Sequence, residues 1–353
     1  MAGIKDVAKR AGVSISTVSR VMNKSKNVSP ELAKKVQDAV NELEYSANLA
    51  AQSLRGTRSG LAAVIVTSFS RPFFTGILGG INEIAAQAGY TVLLAETHDS
   101  LEAERRLVSE FEGKCVDGII LASSAYGKDR ATQEYIRSLS CLSKKGMRIP
   151  VVTLEYAFRN TDISAVVVDN EQSAWRAVTY LARELGRCRI AHISLPERHF
   201  LGQQRVAGYK RALREAGLPV RGKLILEGDY TTYSGYRITN ELLASGEKVD
   251  AIFCANDQMA VGAVLACNER GIRIPDEIAV VGNDDIFTAC LVRPSLTSIH
   301  VPQHEMGVSA MRTLLRLIED DACGRQIITL DTQLMARGTT VKGYQDDLKN
   351  VVW

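Results

Sequence analysis

The first forty-five residues place apolar side chains at helical spacing, whereas the chain beyond Leu61 gathers them into short unbroken runs. In "IKDVAKRAG", Ile4, Val7, Ala8 and Ala11 stand at i, i+3, i+4 and i+7, and Gly12 suits a helix end. Ser14 is placed to cap a second helix through Met22. A third opens at "SPEL", with Ser29 as cap, Pro30 at the first helical position and Glu31 at the positive end of the dipole. Its expected buried stripe is Leu32, Val36, Ala39, Val40 and Leu43. Residues 1–45 therefore read as a small all-α, three-helix unit.

From Ser46 to Gly60, "SANLAAQSLRGTRSG" offers one or two helical turns, Asn48 to Arg55, among small and polar residues, and reads as a linker. Beyond it, "LAAVIV", "TVLLA", "GIILA", "VVTL", "RIAHIS", "KLILEG", "AIFCAN" and "IAVVGND" alternate with amphipathic helices. Such alternation predicts parallel sheets covered on both faces. "VDGIILAS" at 116–123 returns as "VDAIFCAN" at 249–256, which predicts equivalent strands in two doubly wound α/β lobes. The break between lobes is expected near "FRNTDIS", Phe158 to Ser164. The layout that follows is a core over 61–340 and a tail over 341–353. Its N-lobe covers about 61–160 plus 298–325, and its C-lobe about 161–297 plus 326–340. Ligands of such folds gather at the C-terminal ends of the strands, in the cleft between lobes.

Charge sharpens this division. The 353 residues carry a formal +3, but the first sixty hold ten Lys and Arg against five Asp and Glu, and the remainder holds 33 against 35. A basic module joined to a near-neutral body is the pattern of a small domain that meets a polyanion. Seven widely spaced cysteines (115, 141, 188, 254, 267, 290, 323), with no CxxC, read as reduced thiols of a cytoplasmic protein. "MAGIKDVAKR" is charged too early for a signal-peptide core, and no apolar run approaches the ~20 residues of a membrane span.

A helix, a turn containing Gly and a second helix rich in short polar side chains form a helix-turn-helix pattern, whose second helix enters the major groove. On a helix beginning at Ile15, the side chains of Ile15, Ser16 and Arg20 project together, and Val18, Val21 and Met22 face the core. Arg20 suits bidentate reading of guanine, Ser16 a base edge and Ile15 a thymine methyl. Thr17, Ser19 and Asn23 suit phosphate contacts. The alternative is a solvated surface helix with Arg20 in a salt bridge.

"IKDVAKRAGVSISTVSRVMN", followed by "VSPEL", "LEYSANLAAQSL" and the two-lobed body, resembles the lactose-repressor/galactose-repressor (LacI/GalR) family of bacterial transcription regulators. Later stretches extend the resemblance over nearly the whole chain: "RVAGY" at Arg205, "GDYTTYSGY" at Gly228, "ANDQMAVGA" at Ala255, "VVGNDDI" at Val280 and "PSLTSIHVP" at Pro294. It implies a DNA-binding headpiece over 1–45, a hinge helix within 46–60, and an effector-binding core shaped like periplasmic sugar-binding proteins. It further implies that the hinge folds on operator DNA and that Leu54 wedges into a minor-groove base step, with Arg55 beside it. A leucine packed on the core domain is the alternative. Ala47 and Gln52 stand where the family commonly has Pro and Arg.

For the effector, the matching positions are Phe73 and Phe74 after the first strand, Arg205, Tyr230, Asn256, Asp257 and Asp284. Carboxylates, an amide and a guanidinium make paired hydrogen bonds to hydroxyls, and aromatic rings cover a sugar's apolar face. Phe73 and Phe74 read equally as core, and Arg205 also as a helix-start salt bridge. Either Arg198 or His199 is near enough in sequence to reach the cleft. No catalytic motif emerges: "GILGGINE" lacks GxGxxG spacing, the five histidines lack metal spacing, and no GxSxG elbow occurs. Neither cofactor nor metal is expected.

The sequence thus predicts a dimeric repressor of a carbohydrate-utilisation operon, with double-stranded operator DNA and a small sugar or sugar derivative as partners. "VKGYQDDLKNVVW" lacks the leucine heptads by which some relatives form tetramers. The alternative is a sugar-binding or sugar-converting protein built on the same core.

Overall fold

Helix α1 (Ile4–Ala11) begins where the Gly3 N–H donates to the Asp6 carboxylate at 2.8 Å, and it ends at Gly12, whose φ of 67° is left-handed. Only glycine takes that conformation without strain. Ser14 Oγ accepts the Thr17 N–H at 3.1 Å at the start of α2 (Ile15–Met22), and Ser29 caps α3 (Pro30–Glu42) through the Leu32 N–H. Val7, Ala8, Val18, Val36, Ala39 and Val40 form the buried core, and Ile4, Ala11, Val13, Val21, Met22 and Leu43 pack around it. Leu32 departs from the expected stripe and is 37% exposed. So small a core does not reach the first turn of α3.

This computed structural model describes residues 3–22, 28–43, 58–114, 116–127, 129–144, 146–320 and 322–345. The chain divides into two compact units, Met1–Ser59 and Gly60–Trp353.

In the second unit, β1 (Leu61–Val66), α4 (Phe73–Gln87), β2 (Thr91–Glu96), α5 (Leu101–Gly113), β3 (Gly118–Leu121) and α6 (Arg130–Leu139) alternate regularly. A small hairpin of β4 (Ser143–Lys144) and β5 (Met147–Arg148) precedes β6 (Val151–Leu154) and β7 (Ser164–Val168). Then follow α7 (Asn170–Thr179), β8 (Ile190–Ser194), α8 (Phe200–Glu215), β9 (Ile225–Glu227), α9 (Thr232–Ala244), β10 (Ala251–Cys254), α10 (Asp257–Glu269) and β11 (Ala279–Asp284). The unit closes with β12 (Thr297–His300), α11 (Gln303–Glu319), β13 (Ile327–Leu330) and β14 (Gln333–Met335).

Two six-stranded sheets result, ordered β13-β7-β6-β3-β1-β2 and β14-β12-β11-β10-β8-β9. Every pairing in them is parallel except β12 with β14. The repeated "VDGIILAS" and "VDAIFCAN" supply β3 and β10, which occupy equivalent places in the two sheets.

The lobe boundaries differ from the expected ones. "FRNTDIS" merely connects β6 to β7, which pair in one sheet, so the first crossing to the second lobe comes after Val168. Likewise β12 (297–300) belongs to the second sheet and β13 (327–330) to the first, so the chain crosses again after His300 and after Leu330. A polar run marks a loop but carries no information about which sheet the next strand joins.

The glycines of "GILGGINE" serve packing. A Cβ on Gly80 would lie 2.1 Å from the His304 carbonyl, and one on Gly307 2.0 Å from that of Ile77, so α4 and α11 meet backbone to backbone. That contact sits on the cluster of Ile77, Ile81, Met306, Met311 and Leu314.

Candidate functional site

The outward face of α2 contributes nothing to the buried core. Ile15 (36% exposed), Ser16 and Arg20 project outward, Thr17 and Ser19 are half-buried, and Val18 is fully buried. Arg20 makes no ion pair among the described residues. At the helix start, Ser14 Oγ lies 2.7 Å from Ser16 Oγ and 2.8 Å from Thr17 Oγ1, which pre-orders these hydroxyls as a group. Asn23, Leu54 and Arg55 lie outside the described residues.

In the second unit, the C-terminal strand ends of the two sheets face one another across a cleft. Six of the seven expected residues line it: Phe73, Phe74, Arg205, Tyr230, Asn256 and Asp284. Arg205 is nearly fully buried. Its Nε donates to Asn170 Oδ1 at 2.9 Å, Nη1 donates to the Ala255 carbonyl, and Nη2 stands 3.7 Å from Asp284 Oδ1. This is a buried guanidinium held by three elements rather than a helix-start surface bridge. Burial pushes the Asp284 carboxyl up to about 6, against the pull of Arg205. Asn256 caps α10 by accepting the Met259 N–H at 3.0 Å, and its amide donates to the Tyr230 carbonyl at 2.9 Å. Phe73 and Phe74 do both jobs proposed for them, packing in the first-lobe core while lining the cleft.

Asp257 does not line the cleft. It is fully buried, and its carboxylate accepts the Ile286 N–H at 2.8 Å and the Ser298 hydroxyl at 2.5 Å. It thereby anchors the segment following Asp284 and acts on the cleft only through that position.

Arg71, Glu155 and Tyr126 also line the cleft and escaped the sequence reading. Arg71, five residues beyond β1, donates to Thr67 Oγ1 at 2.9 Å and pairs with Asp99. Its guanidinium crosses the cleft to lie 3.8 Å from the centre of the Tyr230 ring. Glu155 directly follows β6 and makes no side-chain hydrogen bond or ion pair among the described residues; burial pushes its carboxyl up to about 7. Tyr126 follows β3, and its ring lies 5.2 Å from that of His199. Of the two candidates Arg198 and His199, His199 is the buried one, with Nδ1 2.8 Å from the Tyr230 hydroxyl; desolvation lowers its pKa and favours the neutral ring. Arg198 is exposed. Arg71, Tyr126 and Glu155 shared one usable signal, a position just after a parallel strand.

Three of these residues hold left-handed backbones without being glycine: Glu155 (φ 64°), Tyr230 (73°) and Asp284 (112°). Such strain clusters where side chains are aimed at a ligand. Cavity volume here is about 20 Å³, enough for one water, because Arg71 fills the space over Tyr230.

A helix-turn-helix unit joined to a two-lobed cleft of this kind defines a DNA-binding protein that answers to a small ligand. Residues 3–48 match the bacterial regulatory proteins of the lacI family, and residues 60–337 match the periplasmic binding proteins and sugar binding domain of that family. The chain is 35% identical over 338 residues to catabolite control protein A of Priestia megaterium, covering 96% of this chain and 98% of that one. It is 34% identical to the HTH-type transcriptional repressor PurR of Erwinia tasmaniensis, covering 98% and 99%. Among solved structures, the lac repressor dimer bound to operator and the anti-inducer ONPF superposes with a TM-score of 0.84 at 30% identity, covering 96% and 99%. The transcriptional regulator CelR–cellobiose complex gives 0.70 at 31%, covering 96% and 100%. The chain belongs to the LacI family of bacterial transcription regulators. It is a DNA-binding regulator controlled by an effector. No helix among the described residues is long and apolar enough to cross a membrane.

Proposed function

We propose that this chain is a cytoplasmic, homodimeric repressor of a carbohydrate-utilisation operon, and that a sugar or sugar derivative bound between the lobes sets its operator affinity. The observation that carries the ligand class is the pairing of buried Arg205 with Asp284 opposite the Arg71–Tyr230 stack, since fixed polar pairs beside aromatic rings suit a hydroxylated ring. On entry the sugar ring takes the face of Tyr230 that Arg71 covers. Arg71 and Asp99 belong to the first lobe and Tyr230 to the second, so the ligand replaces a contact between lobes and changes their angle. The ligand is released unchanged. Ile15, Ser16 and Arg20 read bases, Thr17, Ser19 and Asn23 hold phosphates, and Leu54 with Arg55 forms the hinge contact.

The test is a gel shift on operator DNA selected from a random library. Arg20→Ala is expected to weaken binding by about 1–3 kcal/mol, roughly fivefold to 150-fold, and to relax the preference at one base pair. Binding unchanged in both Arg20→Ala and Leu54→Ala would overturn the reading.

A further inference from the structure

Next to the inner cleft lies a second cavity of about 310 Å³, a volume within the range of small-molecule sites. Tyr126 lines both. Aromatic rings from both lobes form its wall: Tyr156 and Phe158 from the first, and Phe200 from the second, with the Tyr156 and Phe200 centroids 4.4 Å apart. Two arginines complete it, Arg159 from the first lobe and Arg198 from the second; both are exposed, neither has an ion-pair partner among the described residues, and no carboxylate lines the cavity.

The two compartments differ in charge. Inside, each guanidinium is already matched, Arg71 by Asp99 and Arg205 by Asp284, and Glu155 adds a further carboxyl. An anionic group there would meet carboxylates and no free cation. Outside, two unmatched guanidiniums stand beside aromatic faces, the combination that holds an anionic group on a ring.

We propose that the effector is an acidic glycoside of at least two units, with one neutral ring in the inner cleft and a second unit in the outer cavity, whose phosphate or carboxylate is held by Arg159 and Arg198. Tyr126 stands at the junction, against the linkage. This rests on the reading of the cleft as the effector site, and it specifies what that site takes. It also gives the second unit a role in regulation, because the two arginines belong to different lobes and an anion between them draws the lobes together.

The test uses the full-length protein with paired probes. These are cellobiose and cellobiose 6′-phosphate, trehalose and trehalose 6-phosphate, digalacturonate as the carboxylate form, and glucose 6-phosphate and galacturonate as single charged units. Thermal shift and operator gel shift are read for each. At least one anionic disaccharide is expected to act at a tenfold or lower concentration than both its neutral parent and its charged single unit. Phosphate and carboxylate forms separate the two sources of the charge. In Arg159→Gln/Arg198→Gln that advantage collapses at least tenfold, and the salt dependence of binding falls with it. Neutral disaccharides binding as well as charged ones, an advantage that survives the double variant, or no shift with any anionic disaccharide would each overturn the proposal. A neutral sugar that binds and releases operator leaves the regulator reading standing while removing the outer anion site. An anionic disaccharide that binds through the arginines without changing operator affinity does the reverse.

Discussion

The outward face of α2 and the cleft, the two recognition surfaces of the proposed function, hold their side chains in opposite ways. On α2, Ile15, Ser16 and Arg20 project from a helix fixed by Val18 beneath it, and Arg20 makes no ion pair among the described residues. In the cleft, Arg205 is bound to Asn170, to the Ala255 carbonyl and to Asp284, and Tyr230 is bound to His199 while lying under Arg71. Side chains that lie outside the core, such as Ile15 and Arg20, can change at little cost to folding. A cleft built from mutually bonded groups couples recognition to stability.

Substitution separates these two regimes. Arg205→Ala has the largest expected effect: Asp284 and Asn170 are left buried without their partner, and the core loses about 3–5 kcal/mol together with its ligand response. Calorimetry of the full chain checks this, and a melting temperature equal to wild type would mean that the cleft is not a bonded network. Arg20→Ala is the contrasting case, with operator affinity lost and melting temperature unchanged; a parallel fall in stability would erase the distinction. Ser14→Ala lies between them. It removes the acceptor for the Thr17 N–H and the hub of the Ser14, Ser16 and Thr17 hydroxyls, and costs the helical unit about 1 kcal/mol. Circular dichroism melting of the helical transition measures it, and no change there would show that α2 is capped by other means.

The smallest effect concerns pH. Burial holds Glu155 at about 7 and Asp284 at about 6, above the values near 4 of an unfolded chain. Between about pH 4 and 7 the folded protein therefore keeps protons that the unfolded chain releases, and stability falls as pH rises through this window. Glu155→Gln removes one contribution. Its melting temperature is expected to decline less than wild type between pH 5 and 8, and to exceed it at pH 8 by about 2–4 °C, the equivalent of roughly 1 kcal/mol. Equal declines would show that Glu155 carries no burden of burial.

The same contrast explains what was legible in the sequence. Helix α2 is announced locally, by Ser14, by the apolar spacing of Val18, Val21 and Met22, and by hydroxyls that no surface helix requires. The alternation of strands and helices gave the two sheets, and the VDGIILAS repeat gave their equivalence. Residues brought together by pairing of distant strands were harder. Asp257 stands beside Asn256 in the same strand-end motif, and only its distance from Ser298, forty-one positions away, shows that it faces the other way. Arg71 and Glu155 are single polar residues in unrelated loops, and nothing in either loop records that the other lies across the same cavity. Strand order, rather than propensity, decided which lobe received β7, β12 and β13.

The chain passes between the lobes after Val168, His300 and Leu330, and β7 neighbours β13 just as β12 neighbours β14. Two bodies joined by three short tethers set side by side cannot slide apart or twist freely; what remains to them is to tilt. Whatever the chemistry of a ligand, its message is thereby reduced to one coordinate, how far the lobes are tilted. Effectors that induce and effectors that co-repress need no separate machinery, since they differ only in the angle at which they let the same joint come to rest.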